Sequence, residues 1–184
     1  MQDQRIALRY ADALLDLSEA QNVSEAVQKD MELILSTLDD NPDLLSALRN
    51  PVISSEKKAT VLKSIFESSC SELSNSMTKG LCENGREALL DLVAQNYIQL
   101  YKASKNIQEV VLTTASDIDD TFRAKVIALV KQTHSGEIEL TEHIDPSIIG
   151  GFILQIGDKR INNSVSNQLS ALKREFESNL DTKA

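Results

Sequence analysis

The hydrophobic period changes once along this chain, near Lys105, and that change limits the possible folds more than any other feature. From Asp3 to Lys105 apolar residues recur three and four positions apart, as on helices with one buried face. The breaks are turn-like: Gln21-Asn22, Asn41-Pro42, Asn50-Pro51 and Asn84-Gly85. The spacing predicts helices near 3–20, 23–40, 42–49, 54–68, 71–83 and 86–104, joined so briefly that they must form a compact bundle. Asn22 followed by Glu25 reads as a variant capping box, and Ser54 or Ser55 as the cap of the fourth helix.

Beyond Lys105 the pattern mixes periods. Residues 107–115 (IQEVVLTTA) favour a strand. Residues 117–132 are helical, with Ile118, Phe122, Val126 and Leu129 on one stripe and Ser116 or Asp117 as cap. In 137–144 (EIELTEHI) Ile138, Leu140 and Ile144 share one parity, and Glu137, Glu139 and His143 share the other, as in a half-buried strand. A strand over 148–156, a tight reversal at Gly157-Asp158, a return strand from Ile161 and a helix over 164–180 complete the chain. The expected fold is therefore mainly α with a small α+β module. A six-helix bundle spans 1–105. A short sheet with two helices spans 106–184, and the two join at 102–106.

Composition narrows the function. Aromatic residues are 4% and Trp is absent, so the core must be aliphatic, as helices packed on helices allow. The net charge is −9. Residues 1–105 carry 11 basic and 16 acidic side chains and residues 106–184 carry 8 and 12, so neither half offers the basic face that nucleic acid needs. Cys70 and Cys82 lack CxxC spacing and read as free thiols. The start, MQDQRIALRYADALL, has charges among its apolar residues and no signal-peptide layout. No apolar run approaches the ~20 residues of a membrane span.

The stretch DPSIIGGFILQIGDKRINNSV, 145–165, is the most site-like. Phosphate loops place glycines directly before a helix, so that N–H groups face the anion. Here Gly150-Gly151 lies before and within a strand, and neither GxxxxGK[ST] nor GxGxxG is present. The glycine pair reads as a bulge or a place where another backbone approaches closely.

Four stretches together resemble one family. DPSIIGGFILQIGDKRINNSVSNQLSALKREF is similar to the C-terminal signature of the delta subunit of F-type ATP synthase, the oligomycin-sensitivity-conferring protein of mitochondria. RYADALLDLSEAQN (9–22), NPVISSEKKATVLKSIF (50–66) and LCENGREALLDLV (81–93) resemble that family's first helix, its P-x-[IV]-S-x-E-x-K segment and its L-x-E-N-x-R helix start. The order is that of the family. Asp145, Gly150, Gly151, Gly157, Asp158 and Ser164 match structural positions of the C-terminal signature. Two positions depart: Asn162 replaces the usual Asp, and Leu15 a common aromatic.

The residues also speak for binding. On a wheel at ~100° per residue, Ile6, Ala7, Tyr10, Ala13, Leu14 and Leu17 share one arc of the first helix, and Leu8, Ala11 and Leu15 extend it past half the circle. That is more apolar surface than one core contact needs. Either the helix is central, or one flank receives a partner, with Ala7 and Ala11 allowing close approach. Leu73, Met77 and Leu81 stripe the fifth helix, as core or as a groove wall with an adaptable Met. Val165, Leu169, Leu172, Phe176 and Leu180 stripe the last helix at heptad-like spacing, to cover the sheet or to meet a partner helix. The resemblance implies that the bundle binds the N-terminal helix of a catalytic-head alpha subunit through Tyr10, Ala11, Leu14, Leu15, Leu73, Met77 and Leu81. It implies that the C-terminal module binds the C-terminal end of the b subunits, with one copy per complex.

Catalysis has no constellation here. His134 and His143 are the only histidines and form no HExxH. No carboxylate pair stands out as an acid/base couple, and Ser54-Ser55-Glu56-Lys57-Lys58 reads as a cap followed by solvated charges rather than a Ser/Lys nucleophile. Asp119-Asp120 reads as a helix first turn, and no metal-ligand spacing occurs. The expectation is a non-catalytic connector without cofactor or metal, peripheral to a bacterial inner or plasma membrane on the cytoplasmic side and linked to it only through the b subunit. The alternative is a stand-alone helical adaptor for some other amphipathic helix.

Overall fold

The computed structural model describes residues 2–133, 136–157 and 159–181, with backbone alone at 2, 132–133 and 174–181. The chain divides into two compact units, Met1–Ser104 and Lys105–Ala184. The first holds α1 (Gln2–Ala20), α2 (Ser24–Asp40), α3 (Pro42–Arg49), α4 (Ser55–Phe66), α5 (Glu72–Glu83) and α6 (Leu90–Ser104), with a 3-10 turn at Glu87–Leu89 leading into α6. The second holds β1 (Ile107–Thr114), α7 (Asp120–Thr133), β2 (Glu137–Ile144), β3 (Gly151–Ile156), β4 (Lys159–Ser164) and α8 (Val165–Asp181). The mainly helical fold with a small α+β module is the one the two periods imply.

In the helical unit, α1 and α2 pack along α6, which buries Leu90, Val93, Ala94, Tyr97 and Tyr101 at helical spacing. Tyr97 is fully enclosed, so its hydroxyl needs partners. It lies 2.9 Å from Ser18 Oγ on α1 and donates to the Ser24 carbonyl on α2 at 3.2 Å. Ala7, Ala11 and Leu14 of α1 are buried in the same core.

Two expected caps form differently. Asn22 does not cap α2. It takes φ +55 and closes α1 instead, with Val23 N–H donating to the Ser18 carbonyl and Asn22 N–H to the Glu19 carbonyl, the two bonds of a Schellman ending. Ser54 stands at the cap position of α4 with extended backbone, but its side chain makes no capping bond.

The sheet order is β2-β1-β3-β4. β1 and β2 are parallel, so a crossover must join them, and α7 supplies it. β3 pairs antiparallel with both β1 and β4. Side chains alternate across the strands. Val110 and Leu112 of β1, Ile138 and Leu140 of β2 and Phe152, Leu154 and Ile156 of β3 fall on one parity and meet Phe122, Val126 and Val130 of α7. Phe122 and Phe152 pack edge to face with centroids 5.8 Å apart. Beyond Val126 the buried residue of α7 is Val130, whereas Leu129, which the sequence stripe included, is half exposed. One turn after Val126 the sheet lies nearer the i+4 position than the i+3 position. The cap of α7 is neither Ser116 nor Asp117 but Asp119, whose carboxylate accepts from Phe122 N–H at 3.0 Å and from the Thr121 hydroxyl at 2.6 Å.

The glycine-rich stretch resolves into a hairpin. Asp145 Oδ1 accepts from Ser147 N–H at 2.9 Å and starts a 3-10 turn over Pro146–Ile148, so β3 begins only at Gly151. Gly151 sits at φ +77, and a Cβ there would lie 2.2 Å from the Asn163 carbonyl oxygen. The close backbone approach expected of the glycine pair is thus at Gly151. Gly157, at φ +54, opens the β3–β4 reversal, while Asp158 and His134 lie outside the described residues. Asn162 Oδ1 accepts from Ser164 N–H and Oγ–H, and Ser164 Oγ in turn caps α8 by accepting from Asn167 N–H at 3.2 Å. The Asn that departs from the family pattern therefore orients the cap.

Candidate partner-binding surfaces

Three helices carry the apolar residues that sequence alone points to, and the structure divides them sharply. On α1, Ala11 and Leu14 are enclosed by the bundle, whereas Tyr10 and Leu15 are half-buried. At ~100° per residue, Tyr10 and Leu15 lie about 140° apart, so they flank the buried stripe on opposite sides. Leu17, 51% exposed, lies beside Tyr10, and Leu8, 43% exposed, beside Leu15. Leu17 was not among the residues that the resemblance implied, although the wheel already put it near Tyr10.

On α5, Leu81 is fully buried, and Leu73 and Met77 are half-buried. α5 touches α1, and Arg86, just beyond its end, reaches Tyr10. The Arg86 guanidinium lies 5.8 Å from the centre of the Tyr10 ring, and Nη1 donates to its hydroxyl at 3.1 Å. Tyr10 and Leu17 on this flank of α1, and Leu73 and Met77 on α5, are apolar residues that the bundle leaves partly uncovered.

The position of α5 is set from α2. Asp30, 8% exposed, accepts from Ser71 N–H at 2.8 Å and Ser74 Oγ–H at 2.7 Å through one carboxylate oxygen, adding charge at a helix N-terminus where it is favourable. Asp30→Ala leaves both donors without this acceptor. The expected cost is about 2 kcal/mol, read as a lowered urea midpoint of the helical unit.

On α8, Val165, Leu169 and Leu172 are 36%, 52% and 50% exposed. The side chains of Phe176 and Leu180 lie outside the described ones. One apolar core of the sheet lies under α7, and none of the described α8 side chains belongs to it. These residues are partly covered, and α8 packs on β4 and on the turn at 146–148. Ile161, across from Leu154 on β4, and Ile149 are also more than half exposed.

Nothing in the described residues assembles chemistry. A cavity of about 780 Å³ opens between α4 and α5, and both cysteines line it. Burial pushes the Cys70 thiol up to about 11, with Asp30 adding to the shift, and burial also raises the Cys82 thiol, with Glu87 adding to it. Thiols held protonated are poor nucleophiles. Among the described residues no cluster of His, Cys, Asp and Glu could hold a metal, and no helix is long and apolar enough to cross a membrane. His143 is exposed. Lys58 is not the solvated charge that the Ser54–Lys58 run suggests: it is buried, 2.7 Å from Glu87 Oε1, and donates to the Leu48 carbonyl.

Comparison with known proteins agrees with the four motifs. The family model for the ATP synthase delta (OSCP) subunit matches residues 6–176. The chain is 40% identical over 180 residues to ATP synthase subunit delta of Flavobacterium johnsoniae, covering 96% of this chain and 99% of that one. It is 39% identical over 183 residues to the Christiangramia forsetii protein of the same name, with 97% of each covered. In fold it is similar to a chain of the Toxoplasma gondii mitochondrial ATP synthase hexamer, at a TM-score of 0.72 over 92% of this chain and 96% of that one, with 24% identity. The chain belongs to the ATP synthase delta (OSCP) subunit family, whose members are non-catalytic components of the peripheral stalk of F-type ATP synthase.

Proposed function

We propose that this chain is the link between the catalytic head and the membrane-anchored stalk of an F-type ATP synthase. Its helical unit, residues 1–105, takes the N-terminal helix of the alpha subunit on the face shared by α1 and α5. Its C-terminal unit, 106–184, takes the C-terminal end of the b subunits on the α8 face. One copy serves each complex. Its place is the cytoplasmic side of a bacterial inner or plasma membrane, reached only through b. The observation that carries this reading is that both units leave apolar helix faces outside their own cores: Leu17 with half-buried Tyr10, Leu73 and Met77 in one, and Val165, Leu169 and Leu172 in the other.

The work is mechanical. Torque from the rotor would carry the head around unless something fixed holds it. A single chain gripping head and stalk opposes that rotation, and each grip raises the effective concentration of the other. Ion flow is then coupled to ATP synthesis instead of idle turning.

The test is a titration of the full chain, isotope-labelled, with a synthetic peptide of the first ~20 residues of the cognate alpha subunit, long enough for one amphipathic helix. Binding at about micromolar or tighter is expected, with amide shifts concentrated in 5–18 and 72–82. A folded bundle that ignores the peptide at high concentration would leave the adaptor reading in its place.

A further inference from the structure

The sheet of the C-terminal unit has two edges, and they are built differently. β4 forms one. It is six residues long, begins with Lys159 and Arg160, and has α8 packed on it. Short length, cationic side chains and a covering helix all keep a foreign strand away. β2 forms the other. It is eight residues long, and all eight pair in unbroken register with β1, so no bulge bends it. It holds no proline, lysine or arginine. Ile138 and Leu140 are half-buried under α7, and the other six residues are exposed. Glu142, on the α7 side, would be an inward charge of the kind that discourages pairing, but Arg123 of α7 binds it at 3.0 Å. One edge is thus blunted by several devices, and the other by none of them.

A strand directs its main-chain groups alternately to its two sides, so β2 keeps a row of donors and acceptors turned away from β1. Its side chains decide which strand could use that row. On the face away from α7, Glu137, Glu139, Thr141 and His143 alternate along β2, and Glu139 stands in register with Glu109 of β1. All three glutamates are exposed. Like charges on an incoming strand would be repelled there, and basic residues at alternate positions attracted. On the α7 face, Ile138 and Leu140 lead to Ile144, which is 54% exposed. Apolar residues at the other positions of the incoming strand would extend that row.

We propose that β2 is a docking edge for an extended basic segment of another polypeptide, which adds a fifth strand to the sheet. Its lysines or arginines lie beside Glu137 and Glu139, with Glu109 one strand further in, and its apolar side chains fall in line with Ile138, Leu140 and Ile144. Main-chain pairing supplies affinity, and the alternation of charge selects the partner. The proposal is independent of the readings of α1, α5 and α8, because β2 belongs to none of those faces.

The probe is a synthetic peptide of about nine residues alternating valine and lysine, enough to span one strand, added to the full isotope-labelled chain. Amide shifts are expected to concentrate in 137–144, and exchanging amides there should become protected at saturation. The same peptide N-methylated at its four central residues keeps every side chain but loses donors on both of its edges. It should bind at least about tenfold more weakly. Glutamate in place of lysine should abolish binding. In the chain, Glu137→Gln with Glu139→Gln should weaken binding severalfold and leave the unfolding midpoint of the C-terminal unit unchanged, since both side chains are exposed. Three results overturn the proposal: no binding at about millimolar peptide, equal affinity for the methylated peptide, or shifts spread over the acidic helices of both units. Self-association of the chain that protects 137–144 without peptide would also overturn it, by giving the edge to a second copy.

Discussion

Gly151→Val is expected to unfold the C-terminal unit of this chain while the helical unit stays intact. Gly151 holds φ +77, where a β-branched side chain is strained by about 1–3 kcal/mol before any contact is considered. Its Cβ would then lie 2.2 Å from the Asn163 carbonyl oxygen and 3.2 Å from the Ser164 Cα. Both are backbone atoms of the paired strand, held in register by the β3–β4 ladder, so no side chain can swing aside. Ser164 is the partner of Gly151 in that ladder and caps α8, so a displacement there also costs the cap, about 1 kcal/mol. The sum reaches about 4 kcal/mol or more, which is most of what a small unit possesses. Amide spectra of the full chain should lose dispersion across 107–164 and keep it across 3–104. Gly150→Ala is the contrast: its nearest contact is a single side-chain methyl, Val165 Cγ2 at 3.3 Å, and the expected change is under about 1 kcal/mol. Equal midpoints for Gly151→Val and wild type would mean that the close approach of β3 to β4 is not as described.

What the sequence made legible was periodic or local. The helices of the first unit, the alternation in 137–144 and the reversal at Gly157 each follow from residues within one turn or one hairpin of each other. The misplacements also have local causes. Leu129 and Val130 both fit the stripe of α7, and only the position of the sheet decides that Val130 is the buried one. Asn22 suits a cap and a left-handed helix end equally well, and the Schellman bonds of α1 take it for the second.

The partner surfaces were legible only as excess apolar area. An over-wide arc on α1 shows that something besides one core contact is present, but not which residues the core will take. The bundle packed on α1 encloses Ala7, Ala11 and Leu14, which leaves Tyr10 and Leu17 on one flank and Leu8 and Leu15 on the other. Contacts between distant residues left no trace. Asp30 gives no sign that it holds the start of a helix about forty positions later. Lys58 read as one of several solvated charges and nothing marked Glu87 as its partner, since charge alone does not reveal burial.

That last pair gives the second large effect: Lys58→Met is expected to cost the helical unit about 3–5 kcal/mol. Lys58 and Glu87 side chains are each 6% exposed and 2.7 Å apart. Ser55 Oγ donates to the same Glu87 oxygen at 3.3 Å, while Glu87 Oε2 is buried without a hydrogen-bond partner among the described residues. The carboxylate therefore depends on one cation, and removing Lys58 leaves a buried charge uncompensated. Burial by itself would push the Glu87 carboxyl up, but the Lys58 hydrogen bond, with help from its charge and from the Ser55 hydroxyl, holds it below the ordinary value of 4.5. A group depressed in the folded state contributes stability that is complete above its unfolded value and lost as pH falls toward the folded one. The helical unit should thus lose stability below about pH 4.5, and Glu87→Gln should flatten part of that acid limb. The double change Lys58→Met with Glu87→Leu removes both charges and fills similar volume, so it should recover most of the loss. Urea midpoints of the two singles and the double decide the matter. A double variant no more stable than Lys58→Met would mean that packing at Lys58, not the stranded carboxylate, carries the cost.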